Sequence, residues 1–232
     1  MLAPILLFIL TVKACIHSPA HTVTTSSSTP PKCNNNTIPL STREHWIHKS
    51  NTLSLNNHPC PFAPFGTAIV NHTTSNPHGD LICTGSNQNS LTGNPTLHGE
   101  IAAINNCSSI FLSPRYNMTP AESLAAFQHL SIYTNAESCP MCAAAVRWAG
   151  FREYVYGVSI EELIGFGWGQ LDIGSEEVIF SGVGMRGRDP EVVLGGVGRG
   201  ESGRLFGWQF RKRECPGGCE RREGGCRPVG RT

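Results

Sequence analysis

Four side chains near the middle of the chain have the types and the spacing that metal-assisted hydrolysis requires. The tripeptide H-G-E at residues 98–100 is followed, after 38 intervening residues, by the tetrapeptide C-P-M-C at residues 139–142. A catalytic zinc site keeps three protein ligands and leaves the fourth tetrahedral position to water, and one imidazole with two thiolates supplies that number. We therefore predict a Zn²⁺ site whose ligands are His98, Cys139 and Cys142.

The two cysteines are expected on the first turn of a helix, where side chains three positions apart project the same way and one ion can bridge both. The unpaired N–H groups of a helix N-terminus favour the thiolate form, and Ser138 is placed to cap this helix. A C-x-x-C pair alone is also compatible with a disulfide or a structural half-site, in which case His98 would be incidental.

Glu100 follows His98 by two positions, a spacing that turns the two side chains to different sides of a helix. We therefore predict a proton shuttle rather than a fourth metal ligand. Bound zinc brings the pKa of its water towards neutrality, and a nearby carboxylate can deliver that proton to the ring nitrogen and the leaving amine of an aromatic base. The alternative is a solvated carboxylate on a helix surface.

The segments around these motifs alternate between strand and helix patterns, with good turn and capping residues between them. Such alternation predicts an α/β sandwich with helices on both faces of one sheet. The predicted strands are residues 66–70, 81–84, 130–134 and 153–158, and the predicted helices are residues 43–55, 98–105, 119–129, 139–148 and 159–164.

Residues 94–104 and 134–143 closely resemble the cytidine and deoxycytidylate deaminase superfamily. The most similar branch is that of guanine deaminases and tRNA adenosine deaminases, which share the Pro-Met between the cysteines. The resemblance covers roughly residues 60–180. It implies a three-layer α/β/α sandwich around a five-stranded mixed sheet, a bound Zn²⁺ and a homodimer.

By similarity, Asn87, eleven residues before His98, would hydrogen-bond the bound base. The alternative is a turn residue, since Asn87 belongs to a Ser-Asn-Gln-Asn run. The chain departs from the family where Ser138 replaces the proline that normally precedes the first cysteine. The 40 residues between His98 and Cys139 are also more than usual, and the C-terminal tail is unlike that of the family.

Composition divides the chain into four parts. Residues 1–14 are apolar enough for a signal peptide and too short for a membrane span, and residues 15–40 form a linker rich in Ser, Thr, Pro and Asn. The deaminase domain is predicted at residues 41–182. Residues 183–232 are Gly/Arg-rich and are expected to be a poorly ordered tail.

Several features predict a secreted, extracellular protein. Besides the leader, the chain carries ten cysteines and four Asn-x-Ser/Thr sequons, which begin at Asn35, Asn71, Asn106 and Asn117. The three tail cysteines fit no zinc template, so disulfides or free thiols are expected for them. These are Cys215, Cys219 and Cys226.

Three functions are consistent with this sequence. The first is a hydrolytic deaminase that converts an amine to a carbonyl on a nucleobase or nucleoside and releases ammonia. The second is a nucleic-acid deaminase of the tRNA adenosine type, supported only by the basic tail and opposed by the leader. The net charge of +1 gives nucleic acid no further support. The third is a non-catalytic secreted module that keeps the zinc for structure.

Overall fold

The computed structural model describes residues 38–55, 60, 63–185, 187–210, 215, 217–222 and 225–230. The predicted signal peptide and most of the predicted linker lie outside the described residues, and so does the sequon at Asn35. The helices and strands of the fold belong to the unit of the chain that begins at Ile38.

A five-stranded mixed sheet forms the centre of the domain, as the resemblance implied. Its strands lie in the order β2-β1-β3-β4-β5. β1 is antiparallel to both of its neighbours, whereas β3, β4 and β5 run parallel to one another. The strands are β1 Gly66–Asn71, β2 Asp80–Ser86, β3 Leu130–Ala136, β4 Glu153–Val158 and β5 Val192–Leu194.

Alternating side chains on the strands bind a helical layer to each face of the sheet. Ala68 on β1 and Val155 on β4 face α1 (Leu40–Leu55), where they pack with Ile47. Their neighbours Ile69 and Tyr154 face the opposite way. There they pack against α3 (Gly99–Leu112), α5 (Pro140–Ala149) and α7 (Ser175–Phe180). The three-layer α/β/α prediction is therefore confirmed.

Shorter elements connect these layers. They are α2 Asn89–Thr92, α4 Pro120–Ala126, a 3₁₀ turn at Phe127–His129 and α6 Ile160–Phe166. Thr119 and Ser159 cap α4 and α6 with complete capping boxes. No helix in the described part of the chain combines the length and the hydropathy needed to cross a membrane.

The Gly/Arg-rich segment 183–232 differs from the expectation that it would not pack. β5 pairs with β4, and α8 (Arg199–Gly207) lies beside α1, where Ser202 Oγ donates to Asn51 Oδ1 at 3.1 Å. Two of its glycines allow close approach: a Cβ on Gly195 would lie 2.4 Å from the Tyr156 ring, and a Cβ on Gly225 would lie 2.2 Å from the side-chain nitrogen of Gln209. The glycine content that predicted disorder is therefore, at such positions, a requirement of packing.

Three disulfides join six of the described cysteines. Cys60–Cys219 connects the segment before β1 to the hairpin of β6 (Cys219–Arg222) and β7 (Gly225–Pro228). Cys83–Cys107 links β2 to α3, and Cys215–Cys226 links β7 to the segment before β6. All three tail cysteines are thus in disulfides, while Cys139 and Cys142 are free.

Candidate metal centre

Two helix N-termini bring the predicted metal ligands together. His98 is the N-cap of α3 and Cys139 is the N-cap of α5, both with extended backbone. The imidazole of His98 makes no capping hydrogen bond, and the thiol of Cys139 is hydrogen-bonded to Cys142 on the first turn of α5. The prediction that Ser138 caps α5 is wrong, because Pro140 takes the first helical position and places the cap at Cys139.

The three ligand atoms have the spacing of a tetrahedral zinc site. One atom each from His98, Cys139 and Cys142 lies within 4.8 Å of the others. Cys139 Sγ is 3.6 Å from His98 Nδ1. Tetrahedral zinc, with bonds of about 2.3 Å to sulfur and about 2.0 Å to nitrogen, requires an S–N separation of about 3.5 Å. The residues therefore fit the ion, and no other such group occurs in the described residues.

The protonation of the two thiols agrees with a cation site. A hydrogen bond from Cys142 lowers the pKa of Cys139 to about 4, and the contact with His98 adds to this. The same hydrogen bond and burial raise the pKa of Cys142, and the bond to Cys139 raises the pKa of His98. Negative charge thus collects on Cys139, where a metal ion would compensate it.

Glu100 lies inside the site rather than on the surface. It is 7% exposed, on the first turn of α3. Burial raises its pKa, and the Cys139 charge acts in the same direction. Its carboxyl also interacts with Cys142, so it lies beside the ligand group. Burial excludes the alternative of a solvated carboxylate, and a raised pKa suits a group that must both take up and release a proton.

Asn87 is brought to the same end of the sheet by backbone hydrogen bonds. Its N–H donates to Phe65 O at 3.0 Å, and the N–H of Gln88 donates to Leu97 O at 3.0 Å, one residue before His98. The side-chain oxygen of Asn87 accepts from the N–H of Asn89 at 3.1 Å, which is a turn contact. Contact with a base stays a prediction for this residue.

Glu137 is a buried residue of this region that sequence analysis missed. Its Oε1 accepts hydrogen bonds from the N–H and the hydroxyl of Ser175, at 2.7 and 2.8 Å. Its Oε2 accepts from the N–H of Ile160 at 2.8 Å. One carboxylate therefore holds the first turns of α6 and α7 next to the cysteine loop. An acidic residue ending an otherwise buried strand was the available indication, but its partners are 23 and 38 residues away.

Tyr154 connects this region to the cysteine loop. Its hydroxyl accepts from the N–H of Ser138 at 2.7 Å. Burial raises the pKa of Tyr154, and hydrogen bonds with Ser138 and Ser175 oppose that rise. The loop that carries Cys139 is thus fixed from β4 as well as from its own helix.

The fold and the site together define a mixed α/β domain with a candidate metal centre at paired helix N-termini. The sequence model of the cytidine and deoxycytidylate deaminase zinc-binding region matches residues 40–158, just over half of the chain. The chain belongs to this family. The predicted resemblance is confirmed, and so is zinc as the metal that the family's site binds.

Two curated relatives have similar sequences. Guanine deaminase of Bacillus subtilis (strain 168) is 32% identical over 95 residues, which are 40% of this chain and 49% of the relative. A probable cytosine deaminase of Schizosaccharomyces pombe is 27% identical over 101 residues, 44% of this chain and 51% of the relative. The chain thus spans about half the length of the curated relatives it matches.

Solved structures show the same fold. NE0047 in complex with 8-azaguanine superimposes with a TM-score of 0.53 at 23% identity, covering 70% of this chain and 81% of that chain. A guanine deaminase from Nitrosomonas europaea gives a TM-score of 0.50 at 20% identity, covering 81% and 97%. At these identities the likeness concerns the fold alone.

Proposed function

We propose that this chain is a zinc-dependent hydrolase that replaces an exocyclic amine of a nucleobase or nucleoside by a carbonyl and releases ammonia. The observation that carries the proposal is the convergence of His98, Cys139 and Cys142 around one position, with the buried carboxyl of Glu100 beside them. Three protein ligands leave one position for water, which distinguishes a catalytic zinc site from a closed structural one.

Each group has a defined task in this reaction. The imidazole of His98 and the thiolates of Cys139 and Cys142 would hold the ion. When bound, zinc acts as a Lewis acid that lowers the pKa of a coordinated water to about 7. Glu100 accepts one proton from the attacking water and passes it to the ring nitrogen. It then accepts the second proton from the hydroxyl that has been added to the ring and delivers it to the departing amine as the carbonyl forms. Water and the amine are thereby converted to a carbonyl and ammonia with no net change at Glu100.

A guanine-like purine is the first substrate to test. One curated relative is named guanine deaminase, and NE0047 was solved with 8-azaguanine and with 2,6-diaminopurine. Asn87 is the proposed contact to the base, since it lies at the end of β2 next to the site. The relative named as a probable cytosine deaminase keeps cytosine among the bases to be assayed.

The tail arginines favour a small base over a nucleic acid. Arg199 pairs with Glu162, and Arg222 pairs with Glu220. Arg221 donates to the carbonyl of Trp208 at 2.9 Å. These guanidiniums are engaged within the fold, so the basic composition of the tail supplies less free charge than its sequence indicates. Salt-sensitive binding of RNA would favour the tRNA adenosine type instead.

The test is ammonia release by the zinc-loaded chain on guanine, cytosine, adenine and their nucleosides, with Glu100→Gln as the decisive variant. We expect turnover on one of these bases and a loss of about 10²-fold or more in Glu100→Gln, because proton transfer is removed. Zinc content should stay at one ion per chain, since Glu100 is not a ligand.

Glu161→Gln is the matched control, because Glu161 is an exposed glutamate in the first turn of another helix, α6. Its turnover should equal that of the unmodified chain. Full activity in Glu100→Gln would overturn the proton-transfer role. A zinc-loaded chain without turnover on any base would favour the non-catalytic module.

A further inference from the structure

The disulfides indicate the kind of cellular compartment in which this chain folds. Cys60 and Cys219 are 159 residues apart, and their bond joins the segment before β1 to the β6–β7 hairpin. Together with Cys83–Cys107 and Cys215–Cys226, it takes up every described cysteine outside the metal centre. Cytosolic reductants keep thiols reduced, so such a set forms in an oxidising compartment. In exported eukaryotic chains, Asn-x-Ser/Thr sequons are glycosylated in that compartment.

The described sequons differ in whether the side-chain amide of their asparagine is hydrogen-bonded within the fold. Asn117 is exposed in the turn after α3, at a φ of 48°, and within the described residues no hydrogen bond engages its side chain. The next two residues are anchored: the N–H of Met118 donates to Phe111 O at 3.0 Å, and Thr119 caps α4. The acceptor amide therefore projects to solvent from a fixed loop.

Asn106 and Asn71 are engaged in the fold. Asn106 lies in the middle of α3, and its Nδ2 donates to Thr84 O on β2 at 3.0 Å. The residue after it, Cys107, is bonded to Cys83. Asn71 ends β1, and its Oδ1 accepts from both the N–H and the hydroxyl of Thr73. Glycosylation of Asn106 would use its side-chain nitrogen, and this nitrogen is already hydrogen-bonded from α3 to β2.

We propose that Asn117 carries an N-linked glycan, added in the oxidising compartment in which the three disulfides form, and that Asn106 carries none. The donor is an oligosaccharide linked through a diphosphate to a membrane lipid. An N–C bond forms between Asn117 Nδ2 and C1 of the first sugar, and the C1–O bond to the diphosphate breaks. The amide nitrogen gives up one of its two protons, the lipid diphosphate leaves, and nothing is oxidised.

The position of Asn117 is compatible with an open metal centre. His98 lies at the first turn of α3, and Asn117 follows the last. A helix of 14 residues is about 21 Å long, so the glycan and the metal ligands occupy opposite ends of it. Glycosylation at Asn117 therefore leaves access to the site unchanged.

The experiment expresses the full chain with its own first residues in a secreting yeast. The secreted protein is treated with peptide N-glycosidase in ¹⁸O-labelled water, and each sequon is examined by mass spectrometry. We expect isotope-labelled deamidation at Asn117 and none at Asn106. An unlabelled Asn117 in the secreted chain overturns the proposal. This measurement on the unmodified sequence does not depend on whether any variant folds.

Three variants and a thiol assay complete the test. Asn117→Gln should remove the mass of one glycan. Asn106→Gln should remove none, because Asn106 carries no glycan in this proposal. Thr119→Ser should also remove none, because Ser preserves both the sequon and the helix cap. Alkylation before and after reduction should show that Cys60 and Cys219 are protected until the disulfides are reduced. Recovery of the chain in the cytosol with both thiols free would contradict the proposal that the chain folds in an oxidising compartment.

Discussion

The two ends of the central sheet both carry polar side chains, but they are built on different principles. Where β3 and β4 begin, Glu153 accepts hydrogen bonds from Arg43 and from the hydroxyl of Tyr133. His72 Nε2 lies 2.9 Å from that hydroxyl and completes the network. At the other end, two thiols and the carboxyl of Glu100 surround one imidazole.

This difference separates stability from chemistry. The network around Glu153 is complete within the chain, because its carboxylate has a guanidinium and a hydroxyl as partners. The metal centre gathers two thiols and a carboxyl around one imidazole, and a bound cation would balance the charge of the thiolates. Changes at the first end should therefore cost stability, and changes at the second should cost function.

The largest expected effect is that of Glu153→Gln. This change leaves the largely buried Arg43, whose side chain is 14% exposed, without its counter-charge. Breaking a buried ion pair costs about 3–5 kcal/mol, and we expect the lower value because Arg43 keeps some contact with water. The free energy of unfolding in urea measures this, and turnover per folded molecule should not change.

Glu191→Gln is the control for this prediction, since Glu191 pairs with Arg152 at the surface. It should cost less than about 1 kcal/mol. Equal losses in the two variants, or a loss of turnover in Glu153→Gln at equal stability, would contradict the proposed division between the ends.

A smaller effect is expected for Gly85→Ala, where β2 approaches α3 closely. A Cβ at this position would lie 2.2 Å from Gly99 O and 2.3 Å from Ala103 N. Both atoms are backbone, so α3 must shift, at a cost of about 1–3 kcal/mol. Since His98 and Glu100 begin this helix, zinc affinity and turnover should fall together with stability. Titration with a chromogenic chelator measures the zinc affinity.

Gly165→Ala is the matched control for Gly85→Ala. Gly165 lies in α6, and a Cβ there would meet no atom within 4 Å. Stability should rise slightly through the better helix propensity of alanine, with zinc affinity unchanged. A Gly85→Ala variant that binds zinc as tightly as the unmodified chain would show that the α3 N-terminus is insensitive to this contact.

The last prediction concerns pH. Burial, together with Arg152 and Arg43, lowers the pKa of His72 to about 4. As pH falls from about 6.5 to about 4, the unfolded chain takes up this proton before the folded chain does, so stability falls in that window and is full above it. Urea unfolding at several pH values should give a flatter profile for His72→Gln than for the unmodified chain.

Exposed His129 supplies the control here, and His129→Gln should keep the unmodified profile. If His72→Gln reproduces the slope of the unmodified chain between pH 6.5 and pH 4, then His72 is not the group that titrates there.

The metal centre was predictable from sequence because its ligands follow local rules. His98, Cys139 and Cys142 lie at helix starts whose spacing and proline can be recognised within a few residues. The strands flanking the site were found for the same reason, through short apolar or alternating runs. The sequence left open whether Glu100 is solvated, and its burial on the first turn of α3 is known only from the structure.

Contacts between distant segments were not predictable. Glu137 binds α6 and α7 across 23 and 38 residues, and Glu153 binds Arg43 across 110. The order of the Gly/Arg-rich segment also depends on tertiary packing. Composition does not reveal that Gly195 lies against an aromatic ring. The pairing of the cysteines into disulfides likewise could not be predicted, since the sequence spacing allows many pairings.

The Cys83–Cys107 bond has a consequence for how the metal centre is assembled. It ties the helix that begins at His98 to the sheet nine residues further along that helix. A covalent tie of this kind restricts the freedom of the chain before any ion arrives. Much of the conformational entropy that a flexible site loses on binding its metal is thereby already lost during maturation of the chain. We therefore expect the metal-free protein to keep the start of α3 in place and to exchange its ion without unfolding.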